Sequence, residues 1–283
     1  LADAIKSFIQ TKYAENAPTF LIIMGDEDQV PPSITSASET SEVSDLYYSS
    51  VDGDQFVDMF HSRMSAETTA QMTAMLNKSL EYEQYTMPDP SYLNNVLLIA
   101  GHDDSGWGVT VGRPTIWYAT NYYYNAEHGF DNVYEYTTDN YTNCYAPLNS
   151  GVGFANYTAH GAKTAWADPE FSVDDVANMT NEHKYFFAIG NCCITGDWGY
   201  STPCFGEALT RAENKGAFAY IGSCPNTVWL NDYYFGVGPT SRADGTMPTY
   251  EETGTGIYDA IWMDDVYNTV NSILYVGNLA GKL

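Results

Sequence analysis

The chain has 283 residues, of which 11 are basic and 36 acidic, giving a net charge of −25, and 44% are hydrophobic. That hydrophobic share excludes a disordered chain, and the charge repels nucleic acid and anionic membranes while attracting cationic substrates and hard metal ions. No apolar run reaches the roughly 18 residues that a membrane-spanning segment needs. The five cysteines, Cys144, Cys192, Cys193, Cys204 and Cys224, cannot form a closed disulfide framework because their number is odd.

The chain opens at Leu1 on a helix-like run with no signal peptide, which reads as a piece of a longer precursor with further domains. Thr19 to Met24 is the first short apolar run rich in β-formers. After it, Asp52-Gly53-Asp54-Gln55-Phe56-Val57-Asp58 sets carboxylates at alternate positions around a Gly turn, an oxygen-rich pattern suited to calcium but lacking the distal Glu of an EF-hand. An ordinary acidic turn is the competing reading. Ser65 is expected to cap a helix through Met72, Leu76 and Leu80. Met87-Pro88-Asp89-Pro90 then stops it, which divides the chain into an N-terminal α/β subdomain over 1–88 and a larger α/β subdomain over 89–283. The first carries only one clear strand and looks incomplete as given.

Four more runs follow: Asn95 to Ala100, Gly153 to Ala159, Tyr185 to Ile189 and Ala217 to Ile221. Continuous apolar runs of this length fit strands covered on both faces, as in a parallel sheet. Between them, Ser172 with Asp175 reads as a capping box before Val176 and Met179, and Pro203 is expected to open a helix through Phe205, Ala208 and Leu209. Alternating strands and helices imply an α/β fold with right-handed crossovers.

In such sheets functional groups gather past the carboxyl ends of the strands. The residues just beyond the runs are Asp26, His102-Asp103, His160-Gly161, Cys192-Cys193 and Ser223-Cys224. A thiol, an imidazole and a carboxylate on neighbouring strands are the parts of a nucleophilic site: the imidazole takes the thiol proton, and the carboxylate fixes the imidazole. Gly161 beside His160, with the Cys193 N–H, can line an oxyanion hole. Against this, Cys is among the most buried residue types, and strand alternation makes one of Cys192-Cys193 core filler. A lone His at a strand end is more often structural than catalytic. A zinc site has less support, since no CxxC or HxxxH spacing occurs.

Tyr157-Thr158-Ala159-His160-Gly161, Gly190-Asn191-Cys192-Cys193-Ile194-Thr195 and Pro203-Cys204-Phe205-Gly206-Glu207 resemble the catalytic segments of the gingipain family of cysteine peptidases. Asp45-Leu46-Tyr47-Tyr48, Val51-Asp52-Gly53-Asp54, Leu97-Leu98-Ile99-Ala100-Gly101 and Phe154-Ala155-Asn156 extend the resemblance, which runs from Phe20 to Gly277 and is greater to the family's lysine-specific branch. It implies a caspase-like parallel-sheet sandwich with helices on both faces in two subdomains, no organic cofactor, and a secreted or cell-surface bacterial enzyme acting on proteins and peptides. By the same resemblance Cys193 is the nucleophile, His160 the base and Asp103 its acidic partner, with Asp104 a competing carboxylate. Trp229 and Asp232 match the stacking Trp and the acid that receives a lysine ammonium, with Thr158 beside them. Trp107 would wall the pocket, although Gly106 looks inserted before it. Asp26 and the Phe56 carbonyl join Asp52, Asp54 and Asp58 as structural calcium ligands, and Glu207 serves a second ion. An arginine-preferring or mixed-specificity relative, or an inactive calcium-stabilised binding module, is the alternative. Intact Cys193, His160 and Gly161 argue against the module.

Overall fold

The computed structural model describes residues 1–35, 42–54, 56–103, 105–138, 143–199, 202–238, 243–253 and 256–262. Its strands are β1 (Phe20–Met24), β2 (Ser33–Thr35), β3 (Glu42–Ser44), β4 (Phe60–Met64), β5 (Asn95–Ala100), β6 (Asn132–Tyr136), β7 (Phe154–Thr158), β8 (Gly161–Ala162), β9 (Ala165–Ala167), β10 (Glu170–Ser172), β11 (Phe186–Asn191) and β12 (Ala217–Gly222). Its helices are α1 (Ala2–Glu15), α2 (Leu46–Ser49), α3 (Thr69–Glu83), α4 (Arg113–Tyr122), α5 (Tyr145–Ser150), α6 (Val173–Ala177), α7 (Phe205–Arg211), α8 (Trp229–Val237) and α9 (Ile257–Trp262).

Four of the five apolar runs become neighbours in one five-stranded sheet of order β12-β11-β7-β5-β6. Every pairing in it is parallel, so all its strands end at one edge. Side-chain alternation splits the apolar residues between two layers. Leu97 and Ile99 of β5 face one core with Tyr157, Ala188, Phe205 and Leu209. Val96 and Leu98 face the other with Ile116, Tyr233 and Tyr258. Helix α7 covers the first layer, and α4, α8 and α9 cover the second. The three inner strands β5, β7 and β11 read as apolar runs because both faces are buried, and each fully buried Val, Leu or Ile contributes roughly 1.5–3 kcal/mol.

The fifth run, β1, pairs with β4 in a separate two-stranded parallel sheet. Helix α3 precedes the prolines at 88 and 90 but packs on β12 and α7 of the larger sheet. There Lys78 is buried and donates to the carbonyls of Leu209, Ala212 and Lys215 at 3.2, 2.8 and 3.0 Å. Burial pulls its ammonium down to about 7.

Two helix starts differ from the sequence reading. Thr68, not Ser65, caps α3, accepting from the Gln71 N–H at 3.2 Å, because Ser65 is buried in a polar network beyond β4. Pro203 lies before the N-cap Cys204, and Glu207 returns to the Cys204 N–H at 2.9 Å. The Ser172–Asp175 capping box forms as expected.

Candidate active site

Asp103, His160 and Cys193 follow β5, β7 and β11, which are adjacent in the sheet. The turn that carries His160 is fixed from below. Tyr157 is buried and stacked on Trp166 at 4.9 Å; its hydroxyl donates to the His160 carbonyl at 2.6 Å and accepts from the N–H groups of Ala167 and Asp168. A side chain at Gly161 is impossible: a Cβ there would meet Cys192 Sγ at 2.7 Å and the Cys193 carbonyl closer still. The imidazole and the thiol therefore spring from touching backbone segments.

His160 Nε2 lies 3.1 Å from Asp103 Oδ1, and its side chain is 56% exposed. Asp103 also accepts from the Ser105 hydroxyl, the Ser105 N–H and, at 2.9 Å, the Trp107 N–H. Burial alone would push this carboxyl up, but the hydrogen bonds from Ser105, His160 and Trp107 outweigh it and hold it at about 2. Asp103 is thus an anion placed to stabilise an imidazolium. The neighbouring Asp104 lies outside the described residues. Trp107 is fixed by its backbone to Asp103 and is 40% exposed.

Cys192 and Cys193 diverge as alternation requires. Cys192 is buried against Thr195, with burial pushing its thiol far up, whereas Cys193 is partly open. Cys193 Sγ is held by Thr227 rather than by His160: it accepts from the Thr227 N–H at 3.2 Å and donates to the Thr227 carbonyl at 3.4 Å. The exposed imidazole has room to move, and thiol–imidazole contacts are commonly loose without substrate.

The Trp229 ring sits edge-on to His160 at 5.5 Å between centroids, over Gly112, where a Cβ would meet the indole at 3.2 Å. Asp232, in the first turn of α8, is 5% exposed. Burial lifts its carboxyl to about 7, opposed by one hydrogen bond from the Thr227 hydroxyl at 3.1 Å. The floor between the pocket and the strands is Asn191, whose Nδ2 donates to the Asp232 carbonyl at 2.7 Å and to Thr158 Oγ1 at 3.3 Å. Cys193, His160, Trp229, Asp232 and Thr158 thus share one rim. Thr227, Asn191, Tyr157 and Ser105 belong to it without having been singled out in the sequence. Ser105, two residues after Asp103, carried the one local signal, since such spacing favours an Asx turn.

The expected calcium ligands fall into two groups. Asp26 and Glu207 lie against Arg211, whose Nη2 reaches Asp26 Oδ2 at 2.8 Å and Glu207 Oε1 at 2.6 Å, with the Ser65 hydroxyl 3.0 Å from Asp26 and 2.6 Å from Glu207. A guanidinium already fills the space that an ion would need, so this pair does not fit a metal. Asp52, Asp54 and Asp58 spend carboxylate oxygens on the N–H groups of Asp54, Phe56 and Val51 at 3.0, 2.8 and 2.6 Å. Among the described residues no group of three or more His, Cys, Asp and Glu side chains is arranged to hold a metal ion.

The chain is similar to known proteins in family, sequence and fold. The model of peptidase family C25 matches residues 2–280. Lys-gingipain W83 of Porphyromonas gingivalis is 53% identical over 282 residues, 98% of this chain, which spans 16% of that protein's length. Gingipain R2 of the same organism is 29% identical over 240 residues, 81% of this chain and 32% of that protein. A solved protease structure superposes with a TM-score of 0.93 at 51% identity, covering 99% of this chain and 62% of that one. The crystal structure of the Arg-specific cysteine proteinase gingipain R superposes at 0.74 with 21% identity over 99% of this chain and 63% of that one, a likeness of fold alone. With the match running nearly end to end, the chain belongs to peptidase family C25, a family of cysteine endopeptidases.

Proposed function

We propose that this chain is the peptidase segment of a longer secreted or cell-surface bacterial protein and hydrolyses peptide bonds after lysine. The observation that carries the reading is Asp232: a buried carboxylate whose one side-chain partner among the described residues is the hydroxyl of Thr227, the residue that also holds Cys193 Sγ, in the first turn of the helix that Trp229 opens beside His160. Such a group is short of one cation, and an ammonium on a long aliphatic stem supplies it. The likeness to Lys-gingipain supports the same specificity.

In this mechanism Cys193 Sγ attacks the scissile carbonyl after giving its proton to His160. Asp103, 3.1 Å from the ring, stabilises the imidazolium. The N–H groups of Cys193 and Gly161 receive the oxyanion. His160 then protonates the leaving amine, and water activated by the same imidazole hydrolyses the thioester. No organic cofactor enters the chemistry. A structural calcium on the 52–58 loop, with Asp52, Asp54, Asp58 and the Phe56 carbonyl as oxygen donors, belongs to the proposal as a stabiliser only. Proteins and peptides are the partners, and among the described residues no helix is long and apolar enough to cross a membrane.

The test is a pair of fluorogenic peptides differing only in lysine or arginine before the scissile bond, assayed with the full-length protein. Lysine is expected to be preferred by at least about tenfold, since a pocket fitted to a point charge seats a planar guanidinium poorly. Equal turnover would overturn the lysine reading, and no turnover of either, with the fold intact, would leave a binding module.

A further inference from the structure

Thr227 touches both ends of the reaction. Its backbone N–H lies 3.2 Å from Cys193 Sγ, and its carbonyl lies 3.4 Å from the same sulfur. Its side-chain Oγ1 donates to Asp232 Oδ2 at 3.1 Å. One residue therefore holds the nucleophile chiefly with its main chain and the pocket acid with its side chain, whose Oγ1 also lies 3.7 Å from Cys193 Sγ. It stands immediately before Val228, the N-cap of α8, and the N–H groups of Asn231 and Asp232 return to the Val228 carbonyl at 2.8 and 3.2 Å. That turn fixes the spacing between Thr227 and Asp232. Asn191 fixes the helix from the other side by binding the Asp232 carbonyl.

We propose that Thr227 is a positioning and specificity-determining residue, whose hydroxyl orients the Asp232 carboxylate towards a lysine ammonium while its backbone sets the Cys193 sulfur. The inference rests on the lysine reading above and deepens it. With Oδ2 engaged by the hydroxyl, Oδ1 has no side-chain partner among the described residues and is the oxygen left for the substrate cation. A hydrogen bond to a buried carboxylate is among the stronger kinds, because the anion has no water to replace it. The two main-chain bonds to sulfur, at 3.2 and 3.4 Å, survive loss of the hydroxyl, whose own contact with Sγ is the longest of the three, so substitution acts mainly on the Asp232 task.

The experiment compares the full-length protein with Thr227→Val, Thr227→Ser, Asp232→Asn and the double variant Thr227→Val/Asp232→Asn, using the lysine and arginine peptides. Thr227→Val keeps shape and loses only the hydroxyl. Its KM for the lysine peptide is expected to rise about tenfold or more, the loss of one hydrogen bond to a charged group. kcat should change far less, and the rate of Cys193 alkylation by iodoacetamide should stay within about twofold, because the backbone is retained. Thr227→Ser should restore KM. In the Asp232→Asn background, Thr227→Val should add little, since the two residues act through one contact. An unchanged KM in Thr227→Val overturns the proposal. So does a joint collapse of kcat, alkylation and melting temperature that serine fails to rescue, which would make Thr227 a packing residue only. Equal use of lysine and arginine by the unmodified protein would overturn the lysine reading alone, and the Thr227 effect would then be read on the arginine peptide.

Discussion

Asp26 and Glu207 share one guanidinium, whereas Asp232 has a single hydroxyl. All three carboxylates are buried at the ends of secondary-structure elements. Around Arg211 the accounting is complete: besides Asp26 and Glu207, its Nε binds the Ser65 carbonyl at 2.7 Å and its Nη1 reaches Glu67 at 2.8 Å. These bonds tie the ends of β1 and β4 to α7, so the network fastens the smaller sheet to the larger. Asp232 has no salt bridge among the described residues, and burial raises its carboxyl to about 7. The first site is saturated and holds the fold. The second keeps an unmet demand for positive charge, and the proposed lysine pocket rests on that demand.

The largest expected effect is on the thiol. Cys193→Ala should abolish peptide cleavage, while Cys192→Ala should keep a measurable rate, because the Cys192 thiol is buried and pushed strongly towards its neutral form. Loss of activity in the Cys192 variant alone, with its fold intact, would reverse the assignment.

Next comes the saturated site. Arg211→Met should lower stability by about 3–5 kcal/mol, the cost of leaving buried charges without their partner. A urea melt reads this directly, and a loss under about 1 kcal/mol would mean that the network relaxes or takes up protons instead. Asp232→Asn should do the opposite. Its carboxyl rises from 3.8 to about 7 on folding, so the native state holds a proton that the unfolded chain releases. Stability therefore falls as pH rises from about 4 to about 7 and is level above that. Removing the charge should give a gain on the order of 4 kcal/mol at pH 8 and almost none at about pH 3. The same variant should lose lysine turnover. Stabilisation at both pH values alike would point to packing rather than charge.

Much of this contrast was legible in the residues. β5, β7 and β11 announced themselves as apolar runs because both faces are covered, and their ends delivered Asp103, His160 and Cys193 to one edge, while β12 showed through its apolar composition although it is an edge strand and half-buried. β4, reading Phe-His-Ser-Arg-Met, gave no such signal, since Arg63 turns to Asp45 at 2.6 Å and stacks on Trp198. β6, the sheet's edge strand, mixes Asn and Glu with its aromatics. The pairing of Asp26 with Arg211 spans 185 positions, and that of Thr227 with Cys193 spans 34. Neither is a local pattern, so no spacing rule could reach them. The gingipain resemblance supplied Asp232 and Trp229, which pattern alone would have left as a loop acid and a core ring.

The smallest effect concerns calcium, and it sharpens the comparison at Asp26. The Lys6 ammonium donates to the Tyr47 carbonyl at 2.5 Å and to the Ser50 carbonyl, and its charge is felt by Asp58 and Asp52. An ion on the 52–58 loop would compete with that ammonium and with the backbone N–H groups that the three carboxylates already accept from. Weak binding follows. For a dissociation constant of about 1 mM, about 10 mM calcium stabilises by about 1.4 kcal/mol, a shift of a few degrees in melting temperature. Asp58→Asn should remove that shift. Asp26→Asn distinguishes the two groups of carboxylates: if Asp26 serves Arg211, its loss lowers the melting temperature equally with calcium and with chelator. If instead the calcium-dependent increment disappears in Asp26→Asn, the carboxylate leaves Arg211 for the ion, and the saturated site would have to be redrawn as a metal-linked one. Identical melting curves of the unmodified protein in chelator and in calcium would remove the ion from the proposal altogether.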